Sequence, residues 1–233
     1  MSDAQRPQLA SVEGPQTENA QEQEKETGRV EAFSDGIFAV AITLLVLNIQ
    51  VPSIQSVPND SVLVSILLGN WRIYLAFVTS FATIGIMWMN HHRLFTLIKL
   101  SDTGLLTLNL LLMLFIVFVP FPTALLTQYY EHDYRGPAVI YSATFVLLAI
   151  CFNLLWRYAS HNNRLLDRKA DPRAVQAITR QYRFGPLFYL IALGLAFVYP
   201  PASVIWNLLL ALFFALPGQL VARVSLTHNR RTT

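Results

Sequence analysis

Charged side chains are scarce in this chain: they form 13% of its 233 residues, whereas hydrophobic residues form 54%. A soluble domain of this size carries about 25% charged residues, so much of this surface is not expected to meet water. The mean hydropathy of +0.43 agrees. The shortage of charge excludes an ordinary soluble domain and indicates an integral membrane protein.

Cysteine is almost absent as well. Cys151 is the single cysteine, so an intrachain disulfide is excluded and the redox compartment is left open. The first 27 residues lack the apolar core of a signal peptide and are rich in Glu and Gln. We expect residues 1–27 to form a disordered cytoplasmic tail.

Long apolar runs take up most of the remaining chain. A helix that crosses a bilayer needs about 17–25 mostly apolar residues. The sequence predicts an all-α, multi-pass fold with six such helices in a unit over 28–226, followed by a basic tail at 227–233. The spans are 33–51, 73–89, 104–127, 138–156, 184–199 and 203–222. The fifth is short, so a five-helix protein with a re-entrant segment there is the alternative.

The basic residues predict the orientation. With both termini cytoplasmic, 15 of the 17 Lys and Arg residues fall on the inner side, and only Arg72 and Arg135 fall outside. This asymmetry follows the positive-inside rule, and we expect the protein to lie in the plasma membrane. It also explains the net charge of +3 without a nucleic-acid partner.

Two short helices are predicted between the spans. Asp171 and Pro172 are typical of a helix start. After them, Ala174, Val175, Ile178 and Tyr182 follow at helical spacing, which predicts an amphipathic segment at the inner leaflet. On the outer side, Ser61 opens an apolar helix over 62–68.

Asp35 is the one charged residue inside the predicted spans. A carboxylate at this depth is costly unless it is paired or faces water or protein. Its candidate partners at the same depth are Arg29, His91, His92 and Asn109. The group could be a proton relay, an ion site, a gate or a structural network that ties helices together. Adjacent histidines point about 100° apart on a helix, so we do not predict a metal site.

An apolar stripe follows Asp35 on the first helix, formed by Ile37, Val40, Leu44 and Leu47, with Thr43 beside it. Alone, such a stripe is typical of lipid contact or helix packing. Pro120 and Pro122 are expected to kink or end the third helix. We find no nucleophile with a base, no phosphate-binding loop and no metal-spaced cluster in the sequence, so we predict neither an enzyme nor a cofactor.

Three motifs, in order, resemble the transmembrane protein 175 family of potassium channels. They are Arg29 with Phe33, Ser34 and Asp35 on the first helix; Trp88, His91, His92, Leu94 and Phe95 on the second; and Asn109 followed by Pro120, Phe121, Pro122 and Thr123 on the third. The resemblance covers about 29–126, and the Arg and Phe-Ser-Asp motif occurs once.

The resemblance implies a homotetramer whose first helices line a pore for potassium ions. It implies a hydrophobic constriction at Val40, Leu44 and Leu47, with Thr43 tied to selectivity. It also implies an interhelical polar network of Arg29, Phe33, Ser34, Asp35, Trp88, His91, His92 and Asn109. Such a neck closes by dewetting and gives modest selectivity for potassium. The alternatives are a proton pathway through Asp35, His91 and His92, and a membrane scaffold or enzyme without transport.

Overall fold

The computed structural model describes residues 15–129 and 135–215, and over this part of the chain the fold is all helical. The two described stretches contain nine α-helices in this order: α1 Pro15–Leu44, α2 Asp60–Gly69, α3 Trp71–Leu97, α4 Thr103–Phe118, α5 Pro120–Gln128, α6 Arg135–Ser160, α7 Pro172–Arg183, α8 Gly185–Val198 and α9 Pro200–Ala215. Short 3-10 helices cover Leu45–Asn48, Ile54–Ser56 and His161–Asn163.

Among the described residues, five helical segments are long and apolar enough to cross a membrane, which confirms the prediction of an all-α membrane protein. They are Lys25–Asn48, Ile73–Leu97, Thr103–Gln128, Arg135–Asn163 and Pro172–Val198. Pro200–Ala215 is apolar but shorter in the described part of the chain, and residues 216–222 of the predicted sixth span lie outside it. The fifth of these segments joins the predicted amphipathic helix, α7, directly to the short apolar helix α8.

The first helix begins earlier than expected. α1 already includes residues 15–27, which we had placed in a disordered tail. The Glu, Gln and Ala residues there are strong helix formers, so the helix continues towards the N-terminus. Residues 1–14 and the predicted basic tail at 227–233 lie outside the described residues.

The break at Pro120 and the start of α7 match their predictions, whereas α2 begins at Asp60, before the predicted opening at Ser61. α4 ends at Phe118 and α5 begins at Pro120, so the two prolines open a new helix rather than continue the old one. Asp171 caps α7 by accepting the N–H of Arg173 at 2.9 Å. α2 is capped one position before its first residue by Asn59, which accepts the N–H of Val62 at 3.0 Å.

Packing divides the bundle into two sides. α1 packs against α3, α4 and α5, whereas α8 packs against α6 and α9. α6 lies between them and contributes the fully buried Trp156, Tyr141 and Phe145 to the core. On the side predicted to be cytoplasmic, two loops are joined by their backbones, since Asp167 N–H donates to the Leu97 carbonyl at 2.8 Å.

Candidate functional site

A buried hydrogen-bonded chain joins α1, α3 and α4. The Asn109 side-chain NH₂ donates to Ser34 Oγ at 2.9 Å, and Asn109 Oδ1 lies 2.9 Å from Nε2 of His91. Ser34 in turn donates to the Val30 carbonyl at 2.8 Å. His91 and Ser34 are fully buried. Because Oδ1 of Asn109 can only accept, this contact assigns the proton of His91 to Nε2.

A second, more exposed layer lies beside the buried chain. Trp88 Nε1 donates to Asp35 Oδ1 at 2.8 Å, and His92 Nδ1 lies 2.8 Å from Glu31 Oε1. The rings of Trp88 and His92 stack with centroids 6.0 Å apart. Glu31 was missed by the sequence analysis, although its place one helical turn before Asp35 on α1 could have indicated it.

The two histidines point to different partners, as their adjacent positions predicted. His91 turns inwards to Asn109, and His92 turns outwards to Glu31. Across the residues that the structure describes, no three His, Cys, Asp or Glu side chains converge in a way that could hold a metal ion. This geometry suits helix-to-helix attachment better than ion coordination.

Arg29 and Phe33 stand beside this network at the wall of a cavity of about 480 Å³ between α1 and α4. Other residues that line this cavity include Leu106, Asn109 and Leu110. The structure therefore joins six of the predicted residues by hydrogen bonds within the two layers: Ser34, Asp35, Trp88, His91, His92 and Asn109. Arg29 and Phe33 line the adjoining cavity.

The apolar stripe of α1 lies on the face that the rest of the chain leaves uncovered. Val40 is 52% exposed, Leu44 37% and Leu47 73%, whereas Phe38, Ala41 and Leu45 on the opposite face are buried. Ile37 is half-buried and packs against the core. Thr43, also exposed, donates its hydroxyl to the Val40 carbonyl at 2.8 Å.

A change of helix type aligns the stripe. From Leu45 to Asn48 the backbone is a 3-10 helix, with three residues per turn. Leu47 therefore comes directly above Leu44 along the axis. At the end of this segment Asn48 donates to the Pro120 carbonyl at 3.3 Å, which ties the stripe to the break between α4 and α5. Asn48 was not among the residues predicted from the sequence.

A third polar group, which was not predicted from the sequence, lies at the N-terminal end of α4. Asp102 caps α4 by accepting the N–H of Leu105 at 2.8 Å and also accepts the Tyr158 hydroxyl at 2.9 Å. Arg164 forms an ion pair with the same carboxylate. Partial burial acts to raise the pKa of Asp102, but the hydrogen bonds from Leu105, Tyr158 and Arg164 and the Arg164 charge outweigh it and lower the pKa.

These features define a multi-pass helical membrane protein whose first helix is fastened by polar contacts on one face and left apolar and uncovered on another. A family model described as endosomal/lysosomal potassium channel TMEM175 matches residues 29–120, the part of the chain that holds both features. The chain belongs to the TMEM175 family, as the resemblance predicted.

Similar proteins cover most of this chain. A potassium channel of Chamaesiphon minutus is 51% identical over 195 residues, which are 83% of this chain and 96% of that protein. A potassium channel of Streptomyces collinus is 41% identical over 191 residues, 81% of this chain and 91% of that protein. The family and these relatives are ion channels and not enzymes.

A solved structure supports the fold. The crystal structure of a lysosomal potassium-selective channel TMEM175 homolog from Chamaesiphon minutus superposes with a TM-score of 0.74 at 48% identity, and covers 83% of this chain and 98% of that chain. The all-helical arrangement seen here is therefore that of a known channel.

Proposed function

We propose that this protein is a potassium channel, and that several copies of α1 meet to form its pore. Its membership of the TMEM175 family and the potassium channels among its relatives support potassium as the ion that it conducts. The proposal of a pore rests on one uncovered face of α1 and of the 3-10 segment that follows it. On this face Val40, Leu44 and Leu47 are left exposed by every other described helix.

A single α1 cannot enclose a channel, so the pore requires an oligomer. We propose a homotetramer in the plasma membrane with cytoplasmic termini. The polar contacts of Ser34, Asp35 and Glu31 with α3 and α4 orient α1, because they fasten the face of the helix that lies away from Val40 and Leu44. The apolar face is then free to turn towards the axis.

Four copies of this face would make a narrow aliphatic neck. Water leaves such a neck easily, so closure by dewetting is expected. In the open state a cation sheds part of its hydration shell, and potassium holds its water less tightly than sodium does. The neck therefore favours potassium modestly, with Thr43 influencing selectivity and no cofactor taking part.

Ion flux in liposomes tests the neck directly. We expect Leu44→Ala and Val40→Ala to raise potassium leak and sodium passage, because smaller rings are wider and wet more readily. Val40→Asn should hold the neck open, since an amide retains water. The matched control is Val46→Ala, which removes the same side chain from a residue that is 51% exposed on another face.

Two results would contradict the proposal. One is unchanged flux in all three neck variants when they assemble normally. The other is crosslinking of single cysteines at positions 40 and 44 to lipid probes but not between subunits, which would place this face in the bilayer.

A further inference from the structure

A basic surface lies on α7, which packs against α6 and α8. Residues 168–183 contain five basic residues and one acidic residue. Asp171 is engaged as the cap of α7. The five basic side chains, Arg168, Lys169, Arg173, Arg180 and Arg183, are all exposed. This surface therefore presents concentrated positive charge without a nearby free carboxylate on the same helix.

α7 holds that charge in a fixed direction. At about 100° per residue, Arg173, Arg180 and Arg183 fall within ~80° of arc on the helix. The opposite arc carries Val175 and Ile178, which are partly buried and pack against the core. The charge cannot turn inwards without exposing these apolar residues.

Two hydrogen bonds fasten α7 to α6. Trp156 Nε1 donates to Thr179 Oγ1 at 2.9 Å, and the Asn153 side chain donates to the Tyr182 carbonyl at 2.7 Å. Tyr182 itself is buried between Phe152 and Phe214. A helix held in this way is a built surface, not a mobile loop that happens to be basic.

The last turn of α7 meets an apolar surface that continues into the membrane. The guanidinium of Arg183 lies 5.7 Å from the ring centre of Phe184. Phe184 is 49% exposed and Leu187, in the first turn of α8, is 55% exposed. Cations therefore adjoin a lipid-facing apolar strip at the point where the chain enters the bilayer. This surface is complementary to an anionic phospholipid, whose negative headgroup lies next to its acyl chains.

We infer that Arg180 and Arg183 bind the headgroup of an anionic phospholipid of the inner leaflet, with its acyl chain against Phe184 and Leu187. The occupant is a lipid and not a free phosphate, because the apolar strip begins next to the charges and would add nothing to binding of an inorganic anion. This site goes beyond the proposed function and rests on it only for the cytoplasmic side on which α7 lies.

Binding to the purified full-length protein tests the site. Phosphatidylglycerol and phosphatidylcholine are added in turn to the detergent-solubilised protein, and binding and the midpoint of thermal unfolding are measured. Basic residues at a membrane surface each contribute a factor of about five in affinity. We expect Arg180→Gln with Arg183→Gln to weaken phosphatidylglycerol binding by about 25-fold and to leave phosphatidylcholine binding unchanged.

Two matched variants locate the effect. Arg173→Gln removes one positive charge that lies ~10 Å from Arg180, nearer the start of α7. This variant should weaken phosphatidylglycerol binding less than twofold. Arg180→Lys with Arg183→Lys keeps the charge and should retain most of the affinity, even if the glutamine pair misfolds. Equal phosphatidylglycerol binding by the wild type and the glutamine pair would overturn the proposal. The proposal would also fail if Arg173→Gln lost as much phosphatidylglycerol affinity as the glutamine pair, or if the lysine pair did not retain that affinity. It would fail as well if inorganic phosphate raised the midpoint of thermal unfolding as much as phosphatidylglycerol does.

Discussion

The indole N–H of Trp88 donates a hydrogen bond of 2.8 Å to the carboxylate of Asp35. This bond joins α3 to α1 and gives the acidic residue of the first predicted span a neutral partner. Trp can donate but cannot accept a proton at this nitrogen. In the part of the chain that the structure describes, Asp35 accepts from Trp88, while His91 pairs with Asn109 and His92 with Glu31.

Asp35→Asn should therefore leave ion flux nearly unchanged. The asparagine Oδ1 can still accept from Trp88, so assembly is preserved and only the ionisable group is lost. Proton and potassium flux into liposomes are measured together. Trp88→Phe is the companion variant and should cost about 1 kcal/mol of stability, since it removes the donor. A selective loss of proton flux in Asp35→Asn would contradict this expectation and support a proton relay through Asp35.

Asn109 should matter more for stability than its neighbours do. Asn109→Ala removes the described hydrogen-bond partner of His91 and one of Ser34 from a buried site. Interhelical hydrogen bonds in membranes contribute about 0.5–2 kcal/mol, so we expect a loss of about 2 kcal/mol. Thermal unfolding in detergent measures it.

Thr107→Ala is the matched control for Asn109. Thr107 lies on the same helix, is exposed, and donates within the helix to Thr103. Its removal should change stability by less than about 0.5 kcal/mol. Equal effects of the two substitutions would mean that the Asn109 contacts do not hold α1, α3 and α4 together.

Asp102 should make stability depend on pH. Its pKa in the folded protein lies below its ordinary value of 3.8, so the folded state favours the carboxylate. The contribution is complete above pH 3.8 and is lost as the pH falls through the lowered pKa. Asp102→Asn should therefore be less stable than the wild type at neutral pH, and the difference should vanish in acid.

Comparison with Asp102→Ala separates the charge from the helix cap. Asparagine is also a good N-cap, so only the alanine variant loses the bond to the Leu105 N–H, at about 1 kcal/mol. That additional loss should persist at every pH. Unfolding measured between neutral and acid pH checks both statements, and a gap between the wild type and Asp102→Asn that grows in acid would contradict them.

Gly104 is required by Tyr158. A Cβ at Gly104 would overlap the Tyr158 hydroxyl and ring, and Tyr158 cannot withdraw without breaking its bond to Asp102. Gly104→Ala should cost about 1–3 kcal/mol, as overpacking does. Gly194→Ala is the control, because a Cβ there meets no atom within 4 Å. Adding Tyr158→Phe should reduce the cost of Gly104→Ala, as both changes act on one contact.

Much of the architecture could be predicted from the sequence, because membrane helices depend on local composition. Runs of apolar residues predicted the spans, Pro120 predicted the break between α4 and α5, and Asp171 with Pro172 predicted the start of α7. The tail was the exception: helix propensity over 15–27 outweighed the polar composition that had indicated disorder there.

The partners in the polar groups could not be predicted in the same way. The sequence alone determined that Ser34, Asp35, the two histidines and Asn109 lie at similar depth, since depth follows from position along each helix. Only the tertiary structure decided that Asn109 contacts Ser34 and His91, that Asp35 contacts Trp88, and that Asp102 gathers Tyr158 and Arg164. These contacts join residues far apart in the chain and depend on how each helix is rotated against its neighbours, which apolar periodicity in a lipid-facing helix leaves undetermined.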